Sequence, residues 1–134
     1  MSQSGRQQQA RSLATRERLV RATLDEIHAV GYHAATTHQI AERARVSRGA
    51  LLHHFPTRAD IVLAALETLL ADGTAEIKAV SHDVRTGALP LADFVEFLWQ
   101  LFSGRFFQLS MEMINEARTD PDLRQCLIPV VQRF

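Results

Sequence analysis

TTHQIAERARVSRGALLHHF, residues 36–55, decides the fold of this chain. It reads as two short helices joined by a three-residue turn. Thr36 is an N-cap with Gln39 three residues on, the spacing of a capping box. Ile40, Ala41 and Ala44 then give the first helix one apolar face. Ala41 is small enough to let another helix approach closely. Arg45-Val46-Ser47 is the turn, with Val46 as an apolar plug between the helices and Ser47 as the cap of the second. In that second helix Leu51 and Phe55, four residues apart, form the buried edge. Arg48, Gly49, Leu52 and His53 are left on the other side, a small and basic face that suits the major groove of DNA.

The flanks are helical too. Residues 1–12 are rich in Gln, Ser and Arg and poor in bulky apolar side chains, so they read as a flexible arm, with Arg6 and Arg11 able to reach a DNA backbone or minor groove. Residues 13–30 form a helix with Leu13, Val20, Leu24 and Ile27 on one stripe, stopped by Gly31, and Tyr32 folds back as an anchor. Pro56 blocks continuation of the reading helix, Thr57 caps the next, and Asp60 stands at its third position. That helix runs from Arg58 to about Val80, with Gly73 as a point where it bends or ends. After a loop over 81–90, residues 91–102 are apolar on nearly every side, the pattern of a buried helix. Gly104 breaks the pattern. Residues 105–117 make another helix, and Asp120 as N-cap with Pro121 behind it start the last, which Pro129 kinks.

Thr15 to Glu67 as a whole resembles the DNA-binding domain of TetR-family transcriptional regulators. The resemblance rests on the Gly31-Tyr32 stop, the Thr36 cap, Ile40-Ala41 with Ala44, Val46-Ser47, Gly49-Ala50-Leu51, and His54-Phe55-Pro56 before a basic helix start, all in register. A three-helix domain without a DNA role is the alternative. The resemblance implies an all-α fold: an arm over 1–12, a helix-turn-helix domain over 13–57, and a partial effector-binding domain over 58–134. It implies that Arg48, Gly49, Ala50 and Leu52 face bases and that His38, His53 and Arg58 meet phosphate. Thr36, Thr37, Arg45, Ser47 and Thr57 are the remaining DNA-binding candidates. Two positions depart from the family: Arg45 stands where Gly is usual, and Leu52 where Tyr is frequent. EARTDPDLRQCL, residues 116–127, resembles the sixth-to-seventh helix junction of the family's sensing domains. Those domains continue into two further helices that form the homodimer interface and are missing here. The expectation is therefore a truncated product or an unusually short protein.

The charge distribution fits this division. Net charge is zero, yet residues 1–60 hold nine arginines against five acids, while residues 61–134 hold six basic residues against ten acids. A basic module on an acidic one suits a DNA reader with a separate sensing body. Trp99, Phe102, Phe106 and Met111 are the candidates for lining an effector site, with plain core as the alternative for each. Cys126 is the single cysteine and reads as a buried structural thiol; with no apolar signal segment or membrane-spanning run, the chain reads as cytoplasmic. His53 and His54 are adjacent and point about 100° apart on a helix, so they make a poor metal pair. No nucleophile with a positioned base and no Gly-rich phosphate loop is legible, so neither an enzyme nor a cofactor is expected. The function expected is a sequence-specific DNA-binding regulator, a repressor responsive to a small apolar effector. The rival is a truncated helical protein that associates with itself or a partner and binds DNA weakly or not at all.

Overall fold

The computed structural model describes residues 3–134, and among them it has seven helices and no strand. They are α1 (Gln3–Val30), α2 (Thr37–Ala44), α3 (Arg48–His54), α4 (Arg58–Arg85), α5 (Leu91–Ser103), α6 (Arg105–Thr119) and α7 (Pro121–Val131). The chain divides into two compact units, the first ending at Ala65 and the second beginning at Leu66, so the first two turns of α4 belong to the first unit. That boundary lies eight residues beyond the expected one at 57, because Ile61, Val62 and Ala65 are buried apolar residues of the first core.

The first unit is built on α1. Leu19, Val20, Thr23, Leu24 and Ile27 recur at helical spacing and are buried, and Thr23 Oγ1 donates to the Leu19 carbonyl at 2.8 Å, so its polar atom is satisfied inside its own helix. Ile40, Ala41 and Ala44 of α2 and Leu51 and Phe55 of the α3 segment complete this core. Gly31, at φ 89°, ends α1 in the left-handed region, and Tyr32 is buried just behind it.

The beginning of α1 corrects the sequence reading. Residues 3–12 form regular helix, not an irregular arm; Met1 and Ser2 lie outside the described residues. Gln, Arg and Ala are good helix formers, and each residue added to a helix already fixed by packing gains a hydrogen bond without new nucleation. Leu13, expected on the buried stripe, is 59% exposed, because the core reaches only as far as Leu19.

In the second unit, Leu109, Met113 and Ala117 of α6 and Leu123, Leu127 and Val130 of α7 supply the buried apolar surface, with Leu66 and Leu69 of α4 buried as well. Asp120 Oδ1 accepts from Asp122 N and Leu123 N, both at 3.0 Å, and Pro121 follows it, so α7 starts as its sequence dictates. α5 does not behave as its pattern suggested. None of its residues is buried, and Trp99 is 70% exposed. A helix apolar all round needs neighbours on every side, and α6 is the helix α5 packs on within this unit. Cys126, expected buried, is exposed on α7. α7 also continues two residues past Pro129.

α4 passes through Gly73 without ending there and runs five residues further than expected, to Arg85. The reason for a glycine in a helix interior is steric. A Cβ at Gly73 would lie 2.4 Å from Cε2 of Phe106, whose ring occupies that space. Gly73 thus trades helix propensity for a ring-to-backbone contact between α4 and α6. Ala at this position would be favoured by about 1 kcal/mol on propensity. Displacing the half-buried ring costs about 1–3 kcal/mol, so Gly73→Ala is expected to lower the denaturation midpoint. A raised midpoint would show that Phe106 moves aside freely.

Candidate nucleic-acid interface

The interface is assembled from three helix starts and one turn. Thr36 Oγ1 accepts from Gln39 N at 3.3 Å, and Thr36 N donates to Gln39 Oε1 at 3.3 Å, which completes the capping box of α2. Ser47 Oγ accepts from Ala50 N at 3.1 Å and caps α3. Thr57 Oγ1 accepts from Asp60 N at 3.2 Å while Thr57 N donates to Asp60 Oδ2 at 2.9 Å, a second reciprocal box at the start of α4. Thr36, Ser47 and Thr57 therefore fix where the helices begin. Thr37, the first residue of α2, is half-buried, and His38 beside it is exposed with Nε2 3.9 Å from Glu42 Oε1.

Between α2 and α3 the backbone turns through Arg45 at φ 55°, ψ 45°. Arg45 N bonds the Glu42 carbonyl at 3.0 Å and Val46 N bonds the Ala41 carbonyl at 3.0 Å, the paired closure of a Schellman motif. Arg45 is the single non-glycine residue at positive φ among the described residues. A left-handed conformation costs a residue with a Cβ about 1–2 kcal/mol. What holds it there comes from α1: Arg18 Nη2 donates to the Ala44 carbonyl at 2.5 Å and the Arg45 carbonyl at 3.3 Å. This cation also meets the negative end of the α2 dipole. Two turns further along α1, the buried Glu26 accepts a hydrogen bond from Arg43 Nε at 2.5 Å and ties the last turn of α2 to the same helix.

α3 has only seven residues, far short of what is stable alone. Leu51 and Phe55 are buried and Ala50 is half-buried, which fixes the helix by one edge. Arg16 of α1 lies over the Phe55 ring, 4.7 Å from its centroid. The opposite edge is free: Arg48, Gly49, Leu52 and His53 are exposed. A Cβ added at Gly49 would meet nothing within 4 Å, so that surface is open to a partner. The Arg48 guanidinium forms no hydrogen bond or ion pair with any described residue. The result is a rigid short helix with a guanidinium, a bare backbone segment, an isobutyl group and an imidazole on one face. Those groups can bond guanine O6 and N7, admit a base edge and touch a thymine methyl.

Arg58 is the position where the structure departs most from the expected site. It is half-buried; its Nε donates to the Ala35 carbonyl at 3.0 Å, its Nη2 donates to the Tyr32 carbonyl, and its guanidinium lies 4.4 Å from the Tyr32 ring centroid. The guanidinium closes the loop between α1 and α2 onto the start of α4 and does not project outward as a phosphate contact would. Both bonds are charge-assisted, which makes each stronger than a neutral hydrogen bond to the same carbonyl. Sequence reasoning also missed Arg18 and the Glu26–Arg43 pair. Only Glu26 carried a signal, an acid one position from Ile27 on the apolar stripe.

The effector candidates are not gathered into one site. Phe102 packs edge-on against Phe106, with centroids 6.5 Å apart, and against Phe107 at 6.2 Å. Trp99 and Met111 are exposed, and Phe106 is taken up by Gly73. An apolar groove lies elsewhere in this unit, about 530 Å³ between α6 and α7, lined by Ile114, Leu127, Ile128 and Val131 together with Arg118 and Arg124. Among the described residues no group of three or more His, Cys, Asp and Glu is placed to hold a metal ion, and no helix is long and apolar enough to cross a membrane.

Replacing Arg45 by Gly is expected to stabilise the first unit by about 0.5–1 kcal/mol. Relief of the left-handed strain outweighs the larger freedom of glycine in the unfolded chain. A thermal melt checks it, and a lower melting temperature would mean that Arg45 contributes contacts worth more than the strain.

Three comparisons bear on this geometry. The sequence profile described as "Bacterial regulatory proteins, tetR family" matches residues 19–65. The chain is 29% identical over 133 residues to the HTH-type transcriptional regulator CymR of Pseudomonas putida, covering 99% of this chain and 66% of that protein. It is 35% identical over 133 residues to an uncharacterized HTH-type transcriptional regulator of Mycobacterium tuberculosis, covering 96% of this chain and 66% of that protein. The chain thus spans just under two thirds of the length of these two curated relatives. Among solved structures, a TetR-family transcriptional regulator from Mesorhizobium loti superposes with a TM-score of 0.78 at 16% identity, over 90% of this chain and 61% of that one. The multidrug binding protein EbrR, solved with imidazole, superposes at 0.65 with 22% identity, over 87% and 66%.

Proposed function

The chain belongs to the TetR family of bacterial regulatory proteins, and from that membership we propose that it is a sequence-specific DNA-binding transcriptional regulator, not an enzyme, whose α3 reads the major groove. The observation that carries this reading is the free edge of α3. Arg48, Gly49, Leu52 and His53 stand exposed on a helix whose other edge, caps and ends are all fixed by the protein. A helix so short and so firmly held has a preorganised outer face, which lowers the ordering cost of binding. Arg48 in the first turn is the base reader and Leu52 a thymine-methyl contact. His38, His53 and the exposed Arg45 are phosphate contacts. We assign Thr36, Ser47 and Thr57 to shaping this surface through their caps, and Arg58 to bracing it. Thr37 and Ala50, both half-buried, frame its margins.

The finer reading is a cytoplasmic repressor that releases its operator when a small apolar molecule binds the second unit, acting as a homodimer. The description of EbrR as a multidrug binding protein supports the effector part, and the apolar groove between α6 and α7 is a better location for it here than Trp99, Phe102, Phe106 and Met111. One observation favours a second reading, self-association through the second unit: Ile114, Ile128, Val131 and Phe134 are all exposed along that groove and the end of α7. Concentration-dependent association is then expected in analytical ultracentrifugation. A monodisperse monomer at high concentration would refute it.

Two arginine variants separate reading from bracing. Arg48→Ala is expected to relax sequence preference at one or two positions of a selected duplex, at a cost of about 1–3 kcal/mol in discrimination, with an unchanged melting temperature. Arg58→Ala is expected to lower stability by about 1–2 kcal/mol, since charge-assisted bonds to two carbonyls are lost, and to leave the salt dependence of binding unaltered. Selection from a randomised duplex pool at two salt concentrations, with melts in parallel, is the measurement. If Arg48→Ala changes only the salt slope, α3 does not present Arg48 to bases.

A further inference from the structure

The first turns of α1 have no role in the fold. Residues 6–14 are exposed throughout, and residues 3–12 contain no bulky apolar side chain. Their charge is one-sided: the first sixteen residues hold Arg6, Arg11 and Arg16 and no acid, and the first turn of α1 has none to answer the helix dipole. Cations there oppose the positive end of a helix, so this segment costs electrostatic energy in the free protein. The guanidinium groups of Arg6 and Arg11 make no hydrogen bond or ion pair with any described residue.

The direction of this segment follows from two contacts already described. Arg18 holds the turn just before α3, and Arg16 lies over Phe55 just after it. α1 therefore passes beside both ends of the reading helix at residues 16–18, and the residues before Arg16 extend α1 beyond these two contacts. At 1.5 Å per residue, Arg11 stands about 8 Å and Arg6 about 15 Å beyond the crossing. Arg11 and Arg18, seven residues apart, share one face of α1.

We propose that the start of α1 is a second DNA-contacting element, in which Arg6 and Arg11 bind backbone phosphates flanking the base pairs read by α3. The inference rests on the reading of α3 as a major-groove helix. Its contribution is independent of sequence: it lengthens the footprint and does not alter base preference. A duplex carries a negative charge every ~1.7 Å of its axis, so an extension of this length meets several phosphates.

The test compares the full chain with Arg6→Gln/Arg11→Gln, in which Gln keeps helix propensity and circular dichroism verifies that helicity is retained. The probe is a duplex recovered from a randomised pool by the full chain, used once at the length of the selected site and once with ten base pairs added on each side. On the longer duplex the double variant is expected to reduce the magnitude of the salt slope by about 2 per bound chain, which makes binding roughly 60-fold weaker at 0.1 M salt. Its base preference is expected to match that of the full chain, and the two proteins are expected to differ little on the shorter duplex. An unchanged slope on the longer duplex overturns the proposal while leaving sequence-selective binding by α3 intact. An unchanged slope together with loss of binding to anionic phospholipid vesicles overturns it in favour of a membrane surface. A full chain that binds no duplex at all overturns both readings, and Arg48→Ala would then have no preference to relax.

Discussion

The orientation of α3 depends on one strained turn and the cation that holds it. Arg45 occupies a left-handed conformation that a Cβ makes costly, and Arg18 secures it by donating to the carbonyls of Ala44 and Arg45. If the turn opened, Ser47 would no longer cap α3, and Leu51 and Phe55 would lose the register that buries them. The seven-residue helix has too few internal bonds to survive that loss. The exposed edge with Arg48 and Leu52 is therefore a product of the turn as much as of the α3 sequence.

Arginine does most of the polar work in the first unit, in three distinct ways. Arg18 and Arg58 donate to backbone carbonyls at the turn and in the loop beside them. Arg43 balances the charge of buried Glu26, a carboxylate that would be strongly destabilising there if unpaired. Arg6, Arg11, Arg45 and Arg48 are exposed, and their guanidinium groups have no partner among the described residues. A tally of basic residues treats all of these as potential DNA contacts. The structure separates the braces from the cations that remain free to meet phosphate or bases, so the effective binding charge is smaller and better placed than the sequence total.

The second unit shows the opposite balance. Its buried apolar residues line one side of α6 and α7, while α5 and the groove between α6 and α7 leave large apolar side chains exposed. Such surface is costly in water and is the physical reason that this unit is read as a place for an apolar effector or an association partner. Gly73 and Phe106 are a close contact within it, a ring packed on a helix backbone where a side chain would intrude.

Sequence alone settled the features governed by local chemistry. Helix starts at Thr36, Ser47, Thr57 and Asp120 were legible because a capping oxygen and its amide lie within three residues of each other. The left-handed turn was legible from the position after a helix end where glycine is usual, and the edge of α3 from the four-residue spacing of Leu51 and Phe55. Burial and partner choice were decided by tertiary structure. Nothing local indicates that Arg58 is taken up by carbonyls 23 and 26 residues earlier, that Glu26 waits for Arg43, or that Gly73 makes room for Phe106. The same holds for α5, whose pattern records how much apolar surface it carries but not whether neighbours cover it. Long-range contacts join residues that sequence separates, and only the folded chain fixes which of several arginines reaches a given carbonyl first.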